Sequence, residues 1–398
     1  MLFSYHYVPH QPMGKMHGFI NYIFYKVWCR AKQVEYSIEL FKGNKDLLKI
    51  MQALSRLELA EELTKDKNKA AFFFYQHIND IFNEFKKLTN DEIEQYKVYY
   101  QHNNNIEKLC QGLNNYIPIT YDHLNPQKES LNKKLNNFFQ NLYSIVLPLS
   151  NIKSVTGTLK DYYKCIVKEN RKFNSLNTCP FCGLTTLDTE FSESREAFDH
   201  YLPKSKYPFN SVNLKNLAPI CNKCNARSNK GEKNPLYNNS GSRRKAFYPY
   251  ADNHPTTKIN IMLAEQCNLL ELKPDDVNII FCSKNQQDEI ETWKDLFNIE
   301  SRYKEWTCTH AVSWLETIFI HCTNYQKQPA DVLKAELDTA KRAPWKDTNF
   351  LKKSFLEACD RKGLVNAELL DAIIPGKNNG FKVWSSKHKA NLSPNNRV

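Results

Sequence analysis

The chain has 398 residues, of which 41% are hydrophobic and 25% charged, with a formal net charge of +12. That length allows two or three domains with a sizeable core, and the composition excludes a disordered or fibrous chain. No run of about 18 apolar residues is present, which argues against a membrane span, and Met1 to Tyr25 lack the layout of a secretory signal. A cytoplasmic location is expected.

In chain order, the first ~160 residues read as helical. Ala71, Phe74, Tyr75, Ile78, Ile81, Phe82, Phe85 and Leu88 follow the spacing of one buried helical face. Leu131, Leu135, Phe138, Phe139, Leu142, Ile145 and Val146 repeat it until Pro148 stops the helix. Helices are also expected around Ile20 to Trp28 and Leu47 to Leu63. These aromatic stripes have the period of a packed core, which outweighs a reading as base-stacking platforms.

Between Thr178 and Tyr250 the helical rhythm gives way to prolines at 180, 203, 208, 219, 235 and 249. Short extended pieces are predicted at Ala197 to Leu202 and Leu217 to Ile220, separated by the loop Pro203 to Asn216. A short helix is predicted from Asn222. From Lys258 the sequence returns to helical material, including Ala311, Trp314, Leu315, Ile318, Phe319 and Cys322. The stretch Gly376 to Val398 holds five Lys or Arg and no acid, a basic tail able to touch phosphate. The expected divisions are a helical region 1–160, a cysteine-bracketed module 161–255 and a helical region 256–398.

Two cysteine pairs, Cys179-Pro-Phe-Cys182 and Cys221-Asn-Lys-Cys224, frame that module. Each CxxC turn points two sulfurs at one metal, and two turns close a tetrahedral shell with no open position, as structural zinc requires. The other eight cysteines are scattered through helical sequence, so a disulfide framework is not expected. Cys308, His310, His321 and Cys322 offer a conceivable second metal site, disfavoured because no tight pair accompanies them.

Inside the zinc staple lies Asp199-His200. A neutral imidazole can take a proton from water, and a hard divalent cation held by few oxygens can sit on a phosphodiester. Adjacent strand residues point to opposite faces, so the pair needs a local distortion to act on one phosphate. Residues 200–245 carry ten Lys or Arg against one acid, Glu232. Such a concentration draws in a polyanion.

The run Cys179xxCys182, Asp199-His200, Asn216-Leu217-Ala218-Pro219-Ile220, Cys221xxCys224-Asn225 and then Lys230 resembles the HNH endonucleases of the zinc-bearing ββα-metal type. The resemblance implies an α+β chain, mainly helical, with an embedded ββα-metal module stapled by a zinc on four cysteines. It implies metal-dependent cleavage of DNA, with 5′-phosphate and 3′-hydroxyl ends. His200 is then the general base, and Asp199 and Asn225 hold Mg²⁺ or Mn²⁺. Asn216 braces the loop between the strands. Lys204, Lys206, Arg227, Lys230 and Lys233 are expected to contact nucleic acid. Lys230 stands slightly late for the basic position that family members carry after Asn225, and Arg227 also qualifies. Asn229 is an alternative amide on the metal side. An HNH module within helical arms also resembles effector nucleases of prokaryotic antiviral defence, including those paired with an ATPase in Septu-type operons. A partner ATPase subunit or a homo-oligomer is therefore expected. The alternatives are a non-catalytic nucleic-acid-binding or partner-binding subunit, and a toxin that cleaves RNA.

Overall fold

The computed structural model describes residues 1–59, 66–173, 177–253 and 255–366; the basic tail from Gly376 lies outside the described residues. The chain is mainly helical with two small antiparallel sheets, a mixed α+β architecture. It divides into two compact units. One comprises Met1–Thr256 with Asn285–Phe297, and the other Thr257–Lys284 with the described residues from Asn298 onward. No helix among the described residues is long and apolar enough to cross a membrane.

In the first unit, α1 (Gln11–Tyr22) starts where His10 Nδ1 accepts the Met13 N–H at 3.1 Å, and Pro12 fills a first-turn position that needs no amide hydrogen. A π turn (Ile23–Val27) follows, then α2 (Lys45–Leu59), α3 (Asp66–Phe85), α4 (Asn90–Asn104) and α5 (Ile106–Cys110). Thr89 and Glu92 close a reciprocal capping box at the start of α4. Next come α6 (Glu129–Asn141), a second π turn (Leu142–Val146), α7 (Ser150–Thr156) and α8 (Leu159–Phe173). Phe24, Trp28, Phe74, Phe85, Phe138 and Phe139 meet in one aromatic core. Trp28 satisfies its single donor there, Nε1 giving its hydrogen to the Ile78 carbonyl at 3.0 Å.

The predicted stripe on α3 is buried apart from the partly exposed Tyr75. The α6 stripe holds to Leu142 and then slips: Val146 is buried, but Ile145 is 37% exposed. The π turn, closed by the Leu147 N–H on the Leu142 carbonyl at 2.9 Å, inserts an extra residue and rotates the face.

Strands β1 (Ala197–His200) and β2 (Leu217–Ile220) pair antiparallel, with Asp199 opposite Ala218 and His200 opposite Leu217, and α9 (Asn222–Asn225) follows at once. Residues on both sides of the expected division at 160/161 lie in the first compact unit. Phe198, Phe209, Val212, Leu214 and Leu217 belong to the same core as the N-terminal helices.

The second unit corrects the expectation of a return to helical sequence from Lys258. β3 (Lys258–Leu263) and β4 (Val277–Cys282) form an antiparallel pair. β3 alternates exposed and buried along its length, a period-two signal legible in Lys-Ile-Asn-Ile-Met-Leu. Helix α10 (Gln287–Phe297) joins the first unit through the Trp293 Nε1–H on the Phe181 carbonyl at 2.7 Å. In the second unit, α11 (Ile299–Tyr325), α12 (Pro329–Arg342) and α13 (Asn349–Arg361) accompany the hairpin. Ser354 and Arg361 of α13 donate to the β3 carbonyls of Ile259 and Ile261, at 2.6 and 2.8 Å.

Candidate functional site

The four cysteine sulfurs lie within 4.8 Å of one another, and all four residues are fully buried. Cys179 and Cys224 sulfurs are 4.0 Å apart, and Cys182 and Cys221 sulfurs 3.9 Å. Tetrahedral corners about 2.3 Å from a zinc stand about 3.8 Å from each other, so the cluster can hold a metal ion such as zinc. The turn forms locally: Cys182 and Gly183 both donate to the Cys179 carbonyl, and Gly183 adopts a φ of 68° open to glycine. Burial pushes the Cys179 and Cys224 thiols up, while the Cys179 thiol donating to Cys221 pulls that one down. Dry thiols keep their protons unless a cation compensates, and a bound metal supplies that charge. Among the described residues this is the one such ligand cluster, and Cys308, His310, His321 and Cys322 do not assemble a second.

β1 carries the next two residues in opposite directions. Asp199 is 4% exposed, and both its oxygens lie 3.5 Å from the Lys230 ammonium, which is 0% exposed. Charge-assisted bonds normally close to about 2.7–2.9 Å, so this ion pair is stretched. Asp199 Oδ2 makes no hydrogen bond. Burial pushes the Asp199 carboxyl up, with Lys230 opposing; burial pushes the Lys230 ammonium down, with Asp199 opposing.

His200, part-exposed at the end of β1, bonds through Nε2 to the Ser211 carbonyl at 2.9 Å. A carbonyl only accepts, so Nε2 carries the proton and Nδ1 is the basic nitrogen. Burial brings the imidazole down to about 3, with the Ser211 bond opposing. The ring is therefore neutral across the physiological range.

The loop between the strands is fastened from both sides. Asn216 accepts the Leu202 N–H at 2.8 Å, and its amide donates to the Leu202 carbonyl and to Asn210 Oδ1 at 3.0 and 3.2 Å. From α4, the Asn103 amide donates to the Pro208 carbonyl at 3.0 Å. In return Asn210 and Asn213 donate to the Asn103 and Asn104 carbonyls at 3.1 and 3.2 Å. Phe209 holds a φ of 80° and buries its ring against Phe24, Tyr100 and Phe139. Aromatic burial offsets the backbone strain of about 1–3 kcal/mol that a side chain incurs there.

Asn225 ends α9, half-buried, and its side-chain amide makes no hydrogen bond among the described residues. Asn229 instead spends its amide on the Lys223 carbonyl at 2.6 Å. A carboxylate oxygen without a hydrogen bond and an amide carbonyl without one are hard donors, of the type suited to Mg²⁺ or Mn²⁺ rather than a soft metal. Of the expected phosphate contacts, Lys206 and Arg227 are exposed. Lys204 is half-buried, its ammonium on the Gln140 carbonyl at 2.5 Å, and Lys233 reaches the Asp295 carbonyl at 2.7 Å. Lys230 departs from expectation: it faces Asp199 in the interior, not a solvent groove, because the segment after α9 folds back to place its N–H on the Cys224 carbonyl at 3.1 Å. Sequence reasoning missed Tyr143, whose ring stands edge-on to His200 at 4.7 Å between centroids. A core-type stripe concealed it, and no local signal marked it. It also missed the Asn103-Asn104 anchor, which reads as an ordinary polar helix end.

No family model, curated protein or solved structure matches this chain.

Proposed function

We propose that the chain is a metal-dependent HNH endonuclease that hydrolyses DNA phosphodiester bonds. The observation that carries this reading is the His200 tautomer, with Nε2–H tied to a backbone carbonyl and Nδ1 left basic. It sits one residue from a buried carboxylate with an oxygen that makes no hydrogen bond, on a strand pair beside a four-cysteine cluster. His200 Nδ1 takes a proton from water, and the resulting hydroxide attacks phosphorus opposite the departing O3′. Asp199 and Asn225 are the residues that hold Mg²⁺ or Mn²⁺, and such a cation, when bound, neutralises charge on the phosphate and the leaving oxygen. Asn216 keeps the loop that carries Ser211 in register with β1. Lys204, Lys206 and Arg227 hold the flanking phosphates. The part in prokaryotic antiviral defence, with an ATPase partner or a second copy, rests on the layout of the module within helical sequence, and neighbouring genes test it.

One observation favours a second reading, a nucleic-acid-binding subunit without catalysis: Lys230 already supplies Asp199 with a cation. The two part on plasmid DNA with Mg²⁺ or Mn²⁺, comparing the wild type with His200→Ala. The nuclease reading expects nicked and linear products and a loss of at least about 100-fold in the variant, with binding retained. Equal rates in both proteins, or no cleavage of duplex, single-stranded DNA or RNA under any condition, would sink it. Magnesium-independent, salt-sensitive binding alone favours the second reading.

A further inference from the structure

Helix α6 does not run cleanly into the turn before α7. Its last residues open into the π turn Leu142–Val146, with its i to i+5 bond from Leu147 to Leu142. π turns are rare inside helices and frequently mark functional sites. Three features lie at or beside this one. Ile145 turns out to solvent. The Gln140 carbonyl accepts the Lys204 ammonium. The Tyr143 ring meets the His200 imidazole at an interplanar angle of 78°.

The imidazole has need of a second contact. Its χ2 torsion is soft, and one hydrogen bond from Nε2 fixes a single point of the ring and leaves its plane free to swing. An aromatic edge against the ring fixes the plane, and with it the direction of Nδ1. Tyr143 is itself flanked: the Lys204 ammonium stands 6.0 Å from its ring centroid.

We propose that Tyr143 is a positioning residue for His200, presented by the π turn, so that the N-terminal helical region forms a wall of the active site. The proposal rests on the nuclease reading for its kinetic consequence, but not for its structural one. The ring does the work and the hydroxyl does not.

The test uses the full chain with Tyr143→Phe, Tyr143→Leu and Tyr143→Ala, read two ways. Plasmid cleavage with Mn²⁺ gives kcat and KM; side-chain ¹⁵N spectra of selectively labelled histidine give the His200 tautomer. Tyr143→Phe is expected to stay within about 2-fold of wild type, while the Leu and Ala variants lose about 10- to 100-fold in kcat at nearly constant KM. Their His200 nitrogens are expected to lose the single Nε2–H signature, which Tyr143→Phe retains. The proposal is overturned if Tyr143→Leu keeps wild-type kcat and spectrum, if Tyr143→Phe falls as far as Tyr143→Ala, or if the loss lies wholly in KM. The Leu variant refills the space and guards against an Ala variant that fails to fold. Because the spectra are read without turnover, a wild type that never cuts but shows a fixed tautomer lost in Tyr143→Leu retires the nuclease reading and keeps the positioning one.

Discussion

Asp199 and Lys230 place opposite charges in a dry interior with their nitrogen and oxygens 3.5 Å apart. Burying two ions costs several kcal/mol each, and removing one partner of such a pair typically costs about 3–5 kcal/mol, because the other is left uncompensated. A divalent cation on the same carboxylate must contend with the ammonium. We therefore expect Lys230→Met to melt below the wild type in a chelator, and added Mn²⁺ to raise its melting temperature by more than it raises that of the wild type. Equal Mn²⁺ shifts in the two proteins would show that Lys230 and the metal do not share Asp199. At this scale the four cysteines were legible from their spacing, while Asp199, His200, Asn216 and Asn225 were singled out through the resemblance to HNH endonucleases. The burial of Lys230 was not legible, since a lysine in a basic stretch reads as solvated until the fold closes over it.

α3 and α6 are joined by more than their apolar stripes. Glu84 on α3 receives Lys134 at 2.5 Å and Ser130 at 2.8 Å from α6, and Lys87 at 3.0 Å from beyond its own helix end. Burial alone would push the Glu84 carboxyl up from 4.5, but Lys134, Lys87 and Ser130 together bring it down to about 2. A carboxyl depressed in the folded state stabilises the protein above its unfolded value, and that contribution disappears as pH falls from 4.5 toward about 2. After discounting for water around the exposed lysine, Glu84→Gln should lose about 1–2 kcal/mol at pH 7. Urea melts at pH 7 and pH 3 check this, with the difference from wild type expected to shrink at the lower pH. Helices with a 3.6-residue apolar period were read correctly because one face must be buried. The π turn was invisible, since an inserted residue leaves no mark in composition and shows only as Ile145 falling out of phase. The β3–β4 pair was overlooked although Lys-Ile-Asn-Ile-Met-Leu alternates as a half-buried strand does.

Across the first unit, the cysteine cluster fastens segments distant in the chain. The Leu2 N–H bonds the Pro180 carbonyl at 3.0 Å, Trp293 donates to Phe181, and the Phe181 ring stacks on Phe297 at 5.1 Å. Removing a structural metal therefore reaches the chain start and α10 as well as the cysteine turns. We expect one zinc per chain by native mass spectrometry, its loss in Cys182→Ser, and faster proteolysis near Met1 and within Gln287–Phe297 after strong chelation. A protein with no bound metal and an unchanged melting temperature after chelation would remove the zinc from this account. The 203–216 loop packs on α4 and α6, and β1 on α8 through Phe198, so this segment shares its core with the helices before it.

Residue order alone carried the metal-ligand set, the basic character of the segment around it and the helical faces on either side. These depend on residue type and short spacing, which act through local backbone geometry and donor chemistry. Packing was needed to bring Tyr143 against His200, to set Asn103 and Asn104 on the loop carrying Ser211, and to turn Lys230 inward to Asp199. Each depends on which remote surface closes over a side chain, and burial, unlike period or spacing, is a property of the packed chain.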